Sequence, residues 1–545
     1  MNISLFLRKN PLLFAVLAML ALTFVREVLF FPKMDLLPNP DSSWLLYAAG
    51  RLADGQKLYV DILETNPPFI VWFNLIPAWI GKFFGISSYT IFPYFMTFIN
   101  ILSLWLIISL LKKREFFSNS SLYYTISLYT AFGYFLLTPA IYGQRETIFI
   151  ALVLPYLIKS LSPPDNDSKN HQFINFLITL MAAAGFAIKP FFMLLWGVNE
   201  LTLAIRRRSL FSIFSLSNWF IGLFQLIYFI SIYYLTPEYI TNIMPVLLGS
   251  YFAYYSLWST ILKVVIPAVC IVMIIWFLAS PHGGYKAIIR HSFFWVLACA
   301  GFMLLQRKEW INHAYPLVFM AGFSIILVLA YLIEVFKELG LDIGRGKFTA
   351  VCLAVSLLIS VVYIDARFWY FMYTKPSVVS TKLLDKINEY ADGKRVYPLS
   401  TSLQAGFPVI ALSKGVFEGK FHHLWPLAGM IIREQQEKEN SELINIRNFL
   451  VDNIVRDFSD NPPYLVWVDE NVNMEKIAEY DIKPYNRNII DLLSRDLRFA
   501  ILWRDYKKID EIEGEVSEDE KKQAEKEGKR VRSPERFSLY IRENK

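Results

Sequence analysis

The sequence predicts a polytopic α-helical membrane protein that ends in a soluble α/β domain. Hydrophobic residues make up 55% of the 545 residues and charged residues only 19%, which is too apolar for an ordinary soluble protein. Apolar runs of about 20 residues, the length that crosses a bilayer, recur between Pro11 and Ala366. After Thr374 the composition becomes charged and mixed. We therefore expect a membrane domain at 1–374, with a first outer loop at 32–88, and a separate domain at 375–545.

The apolar runs predict about eleven transmembrane helices. They lie at 11–31, 89–111, 121–140, 147–161, 172–188, 190–205, 213–235, 259–279, 292–305, 313–333 and 348–366. One further apolar stretch, 69–85, either crosses or lies at the surface. With Arg8-Lys9 in the cytoplasm, basic clusters such as Lys112–Arg114 and Arg206–Arg208 also face the cytoplasm only if 69–85 does not cross. The positive-inside rule therefore favours a surface or re-entrant segment.

The same topology places the chemically useful polar groups on one side of the membrane, the outer side. They are the loop that contains Asp41, the turn at 143–146, the Lys189-Pro190 break, the aromatic loop 236–258, the loop 306–313 and the C-terminal domain. In that last domain, strand-like runs occur at 395–400, 407–412, 463–468, 499–504 and 537–541, and helical patterns at 378–391, 428–456 and 486–494. This mixture indicates an α/β layer structure, interrupted by a charged insertion at 511–532.

Asp41 is the first candidate for chemistry. The stretch Pro40–Ser43 has the pattern of a helix start, and Trp44, Leu45 and Tyr47 form an apolar side, which predicts a short helix in the membrane interface. Asp41 acts either as the N-cap of that helix or as a general base that takes a proton from a hydroxyl group. The two roles are compatible.

Two interruptions of the apolar runs supply a charged turn and a lysine. At the turn 143–146, Arg145 either forms an interfacial salt bridge or binds a phosphate through two hydrogen bonds, and Glu146 orients an acceptor, holds Arg145 or helps to bind a metal. Pro190 breaks the next run, and Lys189 either reaches the interface like an ordinary hairpin lysine or contacts an anion.

The loop 306–313 brings three cation-capable side chains to the outer side. Arg307, Lys308 and His313 precede the crossing at 313–333, where the start of a helix also favours an anion. Trp310 suits the aromatic belt of a membrane interface. Three such groups oppose the positive-inside trend, and this favours a binding role.

The absence of several common motifs limits the reactions that this sequence could catalyse. Cys270, Cys299 and Cys352 lie inside apolar runs, so the sequence indicates neither a disulfide framework nor a metal framework. The net charge of +7 is modest, and we expect no nucleic-acid partner. There is no glycine-rich phosphate loop, which fits a sugar carried on a lipid phosphate rather than a nucleotide sugar. In that chemistry the leaving phosphate needs cations and the acceptor hydroxyl needs a base.

At this point the sequence resembles the GT-C glycosyltransferases that use polyprenyl-phosphate sugars, a superfamily that includes protein mannosyltransferases and aminoarabinose transferases. The shared elements, over residues 10–335, are Asp41, the Gly-x-x-x-Tyr-x-Asp stretch from Gly55 to Asp61, Pro67-Pro68, Gln144–Glu146, Lys189-Pro190, and Lys308 with His313. Many relatives carry a second acidic residue where this chain has Ser42, and aminoarabinose transferases carry a basic residue where it has Asn66. The sequence is more similar to the bacterial branch that acts on lipopolysaccharide core or other envelope glycans.

The resemblance implies an inverting transferase that moves a sugar from a polyprenyl-phosphate donor to a glycan or lipid acceptor at the outer face of a bacterial inner membrane. It also implies residue roles: Asp41 as catalytic base, Arg145, Lys189, Lys308 and His313 as ligands of the donor phosphate, and Glu146, Asp61, Glu64, Asn66, Tyr59 and Gln306 as acceptor-binding or supporting residues. No cofactor is required by the sequence, although a divalent cation is compatible with it.

Two other functions fit parts of the pattern. A transporter or flippase of lipid-linked glycans would carry polar groups near the middle of the membrane, whereas here the predicted crossings are mostly apolar. The second alternative is a C-terminal domain that binds glycan, with the membrane part serving only as its anchor. An anchor of that kind would not need so many crossings. The sequence favours the enzyme.

Overall fold

A computed structural model describes residues 39–112, 121–135, 141–161, 169–251, 255–308, 310–339, 378–470, 488–514 and 535–543. The chain forms two compact units. The first unit draws on Met1–Asn39, Ile80–Ser231 and Ser256–Trp369, and the second on Pro40–Trp79, Ile232–Tyr255 and Tyr370–Lys545. The predicted crossings at 11–31 and 348–366 lie outside the described residues.

Helices account for most of the described residues before residue 340. In chain order they are α1 (Pro40–Ala53), α2 (Phe69–Phe84), α3 (Ser88–Lys112), α4 (Ser121–Phe135), α5 (Arg145–Leu161), α6 (Lys169–Ala187), α7 (Met193–Arg207), α8 (Leu216–Leu235), α9 (Met244–Gly249), α10 (Trp258–Ala279), α11 (Gly283–Gln306) and α12 (Ile311–Glu338). Each predicted crossing between residues 89 and 333 falls on one of these helices. Among the described residues, α3, α8, α10, α11 and α12 are long and apolar enough to span a bilayer. The protein is a helical membrane protein.

Helix α5 forms the centre of the first unit. All of its residues except Lys159 are buried, and it packs against α3, α6 and α12. The approach of α6 is close because Gly185 carries no side chain: a Cβ there would lie 2.5 Å from a methyl group of Val153. In contrast, α8 and α10 leave large apolar side chains exposed, such as Leu226 and Phe277, as expected of surfaces that face lipid.

The ambiguous stretch 69–85 forms helix α2, with Pro77 inside it. Its last turn carries Phe83 and Phe84, which are 83% and 64% exposed. This helix is shorter than a bilayer-spanning helix and ends in an aromatic tip, which suits a segment lying at a membrane surface.

The second unit contains a four-stranded sheet. Its strands are β1 (Val396–Leu399), β2 (Leu465–Asp469), β3 (Tyr506–Glu513) and β4 (Arg536–Arg542), in the order β1-β2-β4-β3. β1 and β2 are parallel, and β4 is antiparallel to both β2 and β3. The helices in this part of the chain are α13 (Val378–Tyr390), α14 (Val409–Leu412), α15 (Trp425–Gln436), α16 (Ser441–Asp460), α17 (Ile489–Leu493) and α18 (Leu497–Trp503).

Several predicted elements of this region change type in the structure. The strands predicted at 407–412 and 499–504 are instead helices α14 and α18, and the predicted helix 428–456 is divided into α15 and α16. The division occurs where Asn440 caps α16 by accepting a hydrogen bond from the Leu443 amide at 2.9 Å. Short apolar runs fit either a strand or a buried helix, and for α18 the Asp496 side chain favours the helix by capping its start.

Three separate stretches of chain build the second unit. The Arg433 guanidinium of α15 donates a hydrogen bond to the Gly249 carbonyl at the end of α9, at 2.8 Å. In α1, the Tyr47 hydroxyl donates to the Phe417 carbonyl at 2.9 Å. Direct bonds of this kind hold α1 and α9 against the described residues after Val378 within this unit.

Candidate active site

In the first unit, the charged turn at 143–146 becomes the start of α5. Gly143 takes a left-handed conformation (φ 70°) that ends the preceding turn, and Arg145 and Glu146 form the first turn of the helix. Both side chains are buried. The helix start also exposes backbone N–H groups that favour negative charge, so a carboxylate at this position is stabilised.

Lys189 reaches this carboxylate from the break after α6. The proline that follows restricts Lys189 to an extended backbone (φ −141°, ψ 136°), which interrupts the helix. The Lys189 ammonium donates to Glu146 at 2.5 Å and to the Gln306 side-chain carbonyl at 3.3 Å. The result is a buried ion pair whose remaining hydrogen-bonding groups are partly satisfied, the condition under which such pairs are tolerated.

The link between α11 and α12 completes this cluster. The Asn312 amide donates to Glu146 at 3.4 Å, and the His313 ring nitrogen Nε2 lies 3.7 Å from the same carboxylate. Lys308 is buried, with its ammonium 5.5 Å from the centre of the Trp310 ring. The charges of Arg145 and Lys308 both act on the His313 ring.

We call these side chains the Glu146 cluster: Gln144, Arg145, Glu146, Lys189, Gln306, Lys308, Asn312 and His313. It therefore unites the four residues predicted to bind a phosphate with two of the predicted supporting residues. Sequence analysis missed Asn312, because an amide near the start of an apolar run gives no signal of its own.

In the second unit, the predicted short helix is present as α1, and Asp41 lies in its first turn, inside the helix and not at the N-cap position predicted as one of its roles. Trp44, one turn further on, is buried and lies flat on the His422 ring, with ring centres 4.1 Å apart. The Trp44 indole N–H also donates to Glu64. The helix that carries Asp41 is thus fixed on its apolar side by aromatic packing.

The predicted supporting residues of the first loop form one hydrogen-bonded turn. The Glu64 carboxylate is buried and accepts hydrogen bonds from the Asn66 backbone at 2.7 Å and from its side-chain amide at 2.6 Å. The Tyr59 hydroxyl donates to the Asn66 carbonyl at 2.6 Å, and the Asp61 carboxylate accepts from the Lys57 amide at 2.8 Å. These four residues shape the backbone of the loop before Pro67-Pro68.

Arg51, which sequence analysis did not select, ties α1 to the segment 417–420. Its guanidinium donates to the carbonyls of Gly419 at 2.6 Å and Glu418 at 3.0 Å, and to the Asp61 carbonyl at 3.2 Å. Burial lowers the pKa of Arg51, and nearby groups including Tyr47 raise it. No sequence pattern indicates this role, because the partners of Arg51 are main-chain atoms, most of them distant in sequence.

Asp457 holds the same segment from the other side. Its carboxylate accepts hydrogen bonds from the Lys420 amide at 2.7 Å and from the Tyr397 hydroxyl at 2.9 Å. Desolvation by burial raises the pKa of Asp457 to about 6, although both hydrogen bonds lower it. The segment 417–425 packs on α1 and its loop.

A second buried polar cluster in the first unit was also missed. Glu200 of α7 accepts hydrogen bonds from the Tyr156 hydroxyl at 2.6 Å and from the amides of Asn199 and Asn218. The side-chain carbonyl of Asn199 in turn lies 3.0 Å from the His291 ring nitrogen. The sequence does contain a signal for this cluster, because its polar residues interrupt apolar runs. Polar groups inside a membrane are costly and commonly functional.

Within the parts of the chain that the structure describes, no three side chains of the metal-binding types come together. The arrangement instead offers a carboxylate at the start of α1 and, in the other unit, a buried group of cations around Glu146.

Comparison with known proteins gives matches in structure only. No family model matches the sequence, and no curated protein matches it. The structure is similar to that of apo ArnT from Cupriavidus metallidurans, at 12% identity and a TM-score of 0.48, over 85% of this chain and 94% of that one. The same protein bound to undecaprenyl phosphate matches at 11% identity and a TM-score of 0.47, over 87% and 96%. ArnT is an aminoarabinose transferase of the GT-C type, the fold family that the sequence resembles.

Proposed function

We propose that the protein is an inverting glycosyltransferase that moves a sugar from a polyprenyl phosphate to an envelope glycan or lipid at the outer face of a bacterial inner membrane. Asp41 takes the proton of the acceptor hydroxyl, whose oxygen attacks the anomeric carbon of the sugar. The bond from that carbon to the phosphate oxygen breaks, and polyprenyl phosphate leaves with the electron pair. The Glu146 cluster stabilises its charge.

The observation that carries the proposal is the convergence of the predicted phosphate ligands. Arg145, Lys189, Lys308 and His313 come from three separate parts of the sequence, and all four are buried. Lys189 and His313 lie beside the Glu146 carboxylate, the charge of Arg145 acts on it, and Lys308 acts on the His313 ring. Glu146 holds Lys189 and His313 in place, so these two proposed phosphate ligands are ordered before a phosphate arrives. Such preorganisation is what stabilises a leaving phosphate without a general acid.

The contacts inside the second unit support the proposed topology. They join α1 and α9 to one unit, and a unit that lies on one side of the membrane requires an even number of crossings between α1 and α9. The helices α3 to α8 supply six crossings, and a crossing by α2 would make the number odd. Between α9 and the C-terminal region, α10, α11, α12 and the predicted crossing 348–366 supply four, again an even number. About eleven crossings and an extracytoplasmic domain follow if residues 1–10 are cytoplasmic.

The direct test is transfer by the purified protein. We expect it to release polyprenyl phosphate from one of a panel of polyprenyl-phosphate sugars, and Asp41→Asn to abolish release while leaving the melting temperature in detergent unchanged. A chelator in a parallel sample tests the dependence on a divalent cation. Full activity of Asp41→Asn would refute the assignment of the base.

A transporter of lipid-linked glycans is the second candidate, and the buried Glu200 cluster is the observation that favours it. Ionisable groups inside a membrane commonly mark a transport pathway. Reconstituted protein that moves a fluorescent lipid-linked glycan between leaflets without releasing polyprenyl phosphate, and that loses this activity in Glu200→Gln, would establish the transporter instead.

A further inference from the structure

The loop 57–66 carries four of the residues predicted to bind or support the acceptor, and it turns back on itself at Tyr59. Tyr59 has a left-handed backbone conformation (φ 67°), which is uncommon for a residue other than glycine and costs free energy. Its amide donates a hydrogen bond to the Ile62 carbonyl at 2.8 Å and closes the turn. A conformation of this kind persists only where the surrounding structure holds it.

One residue from the C-terminal part of the chain, Lys420, holds this turn at two points. Its ammonium donates a hydrogen bond to the Val60 carbonyl at 2.8 Å, and its main-chain carbonyl accepts one from the Leu63 amide at 3.0 Å. The two bonds enclose the tip of the turn. Beside them, the Trp425 indole donates to the Leu63 carbonyl at 3.3 Å. The loop is therefore attached to the segment 417–425 by both side-chain and main-chain bonds.

Lys420 is itself fixed by the elements around the sheet. Its amide donates to the Asp457 carboxylate of α16 at 2.7 Å, and the same carboxylate accepts a hydrogen bond from the Tyr397 hydroxyl of β1 at 2.9 Å. The residue before it approaches β1 closely, because a Cβ at Gly419 would collide with the Tyr397 ring. The position of Lys420 is therefore set by β1 and α16, and Lys420 transmits that position to the loop 57–66.

We propose that Lys420 is a positioning residue for the acceptor. By holding the turn, it fixes the backbone that carries Tyr59, Asp61 and Glu64, and with it the shape of the acceptor site. The inference rests on the proposed function. Lys420 acts through the loop and not on the reacting atoms, so its loss weakens the binding of the acceptor and leaves the chemical step intact. The C-terminal region thereby takes part in acceptor recognition.

Hydrogen exchange of the purified protein in detergent tests the hold on the loop without a substrate. Lys420→Met removes the ammonium but keeps the main-chain bonds of residue 420. Lys414→Met is the matched control, because the Lys414 ammonium bonds the exposed Asp392 carboxylate at 2.9 Å and does not contact the loop. We expect peptides that cover 57–66 to exchange about 5- to 50-fold faster in Lys420→Met, as after the loss of one charged hydrogen bond. Equal exchange in the wild type and both variants would overturn the inference.

Steady-state kinetics separates positioning from a general loss of stability. With purified lipopolysaccharide as the acceptor probe, we expect Lys420→Met to raise the KM of the acceptor about 5- to 30-fold, while kcat and the KM of the donor change by less than about twofold. Lys414→Met is expected to leave all three constants unchanged. Lys420→Arg keeps a charged donor and is expected to restore most of the affinity for the acceptor, which a damaged fold would not show.

Two kinetic outcomes distinguish a failure of this inference from a failure of the proposed function. An acceptor KM in Lys420→Met equal to that of the wild type, or a loss confined to kcat, would overturn the positioning role and leave the proposed function standing. A wild-type protein that releases no polyprenyl phosphate would overturn the proposed function, and the exchange measurement would still decide whether Lys420 holds the loop.

Discussion

Replacing Asp457 with asparagine is expected to stabilise the second unit near neutral pH, although it removes a buried carboxylate that accepts two hydrogen bonds. Both bonds, from the Tyr397 hydroxyl and the Lys420 amide, end on the same oxygen. An asparagine side-chain carbonyl in that place accepts both. The substitution therefore removes the charge and leaves the contacts to β1 and to the segment 417–420.

The size and sign of the effect follow from the raised pKa. Burial moves the pKa of Asp457 from 3.8 to about 6 in the folded protein. The folded state thus binds the proton more tightly than the unfolded state, so the contribution of this group to stability is full below about pH 4, falls as the pH rises, and is lost above about pH 6. Two pH units correspond to about 3 kcal/mol. After the cost of burying an amide, we expect Asp457→Asn to gain about 1 to 3 kcal/mol near pH 8.

The assay is thermal unfolding of both proteins in detergent, followed by tryptophan fluorescence between about pH 4 and about pH 8. The difference between the two melting temperatures isolates Asp457 from the other titrating groups. It is expected to grow as the pH rises and to level off above about pH 6. A variant that is less stable near pH 8, or a difference that does not depend on pH, would refute the reasoning.

Three further substitutions test other contacts. Glu146→Gln leaves Lys189 buried without its carboxylate and is expected to lower the free energy of unfolding by about 3 to 5 kcal/mol, measured by thermal unfolding. If the double variant with Lys189→Met recovers none of this loss, the ion pair is not its cause. Arg51→Met removes charged donors to main-chain carbonyls and is expected to lower the free energy of unfolding by about 3 kcal/mol. Arg51→Lys is expected to have a stability between those of the wild type and Arg51→Met, and equal stability of all three proteins would contradict the role of Arg51. Lys308→Ala is expected to weaken donor binding without lowering the melting temperature, and an unaltered apparent affinity for the donor would exclude it from the phosphate site.

The sequence predicts the positions of the helices between Ser88 and Glu338 because long apolar runs mark them, and five of these helices are long enough to span a bilayer. It also places Arg145, Lys189 and His313 where charge interrupts those runs. It does not predict that Lys189 pairs with Glu146, because this contact depends on how α5 and α6 pack and not on any local pattern.

Other features leave no readable trace in the sequence. The run Phe499–Trp503 is short and apolar, so it fits a strand as well as a helix. The structure shows that it belongs to α18, which Asp496 caps by accepting a hydrogen bond from the Arg498 amide at 2.9 Å. Arg51 binds carbonyl groups, which every residue has, so its partners cannot be read from residue types. Long-range packing of this kind has to be seen in the fold.

The most direct test of the account is an experimental structure of the protein with polyprenyl phosphate bound. The account predicts that the phosphate contacts Arg145 or Lys308 of the Glu146 cluster. A phosphate bound away from the Glu146 cluster would contradict it.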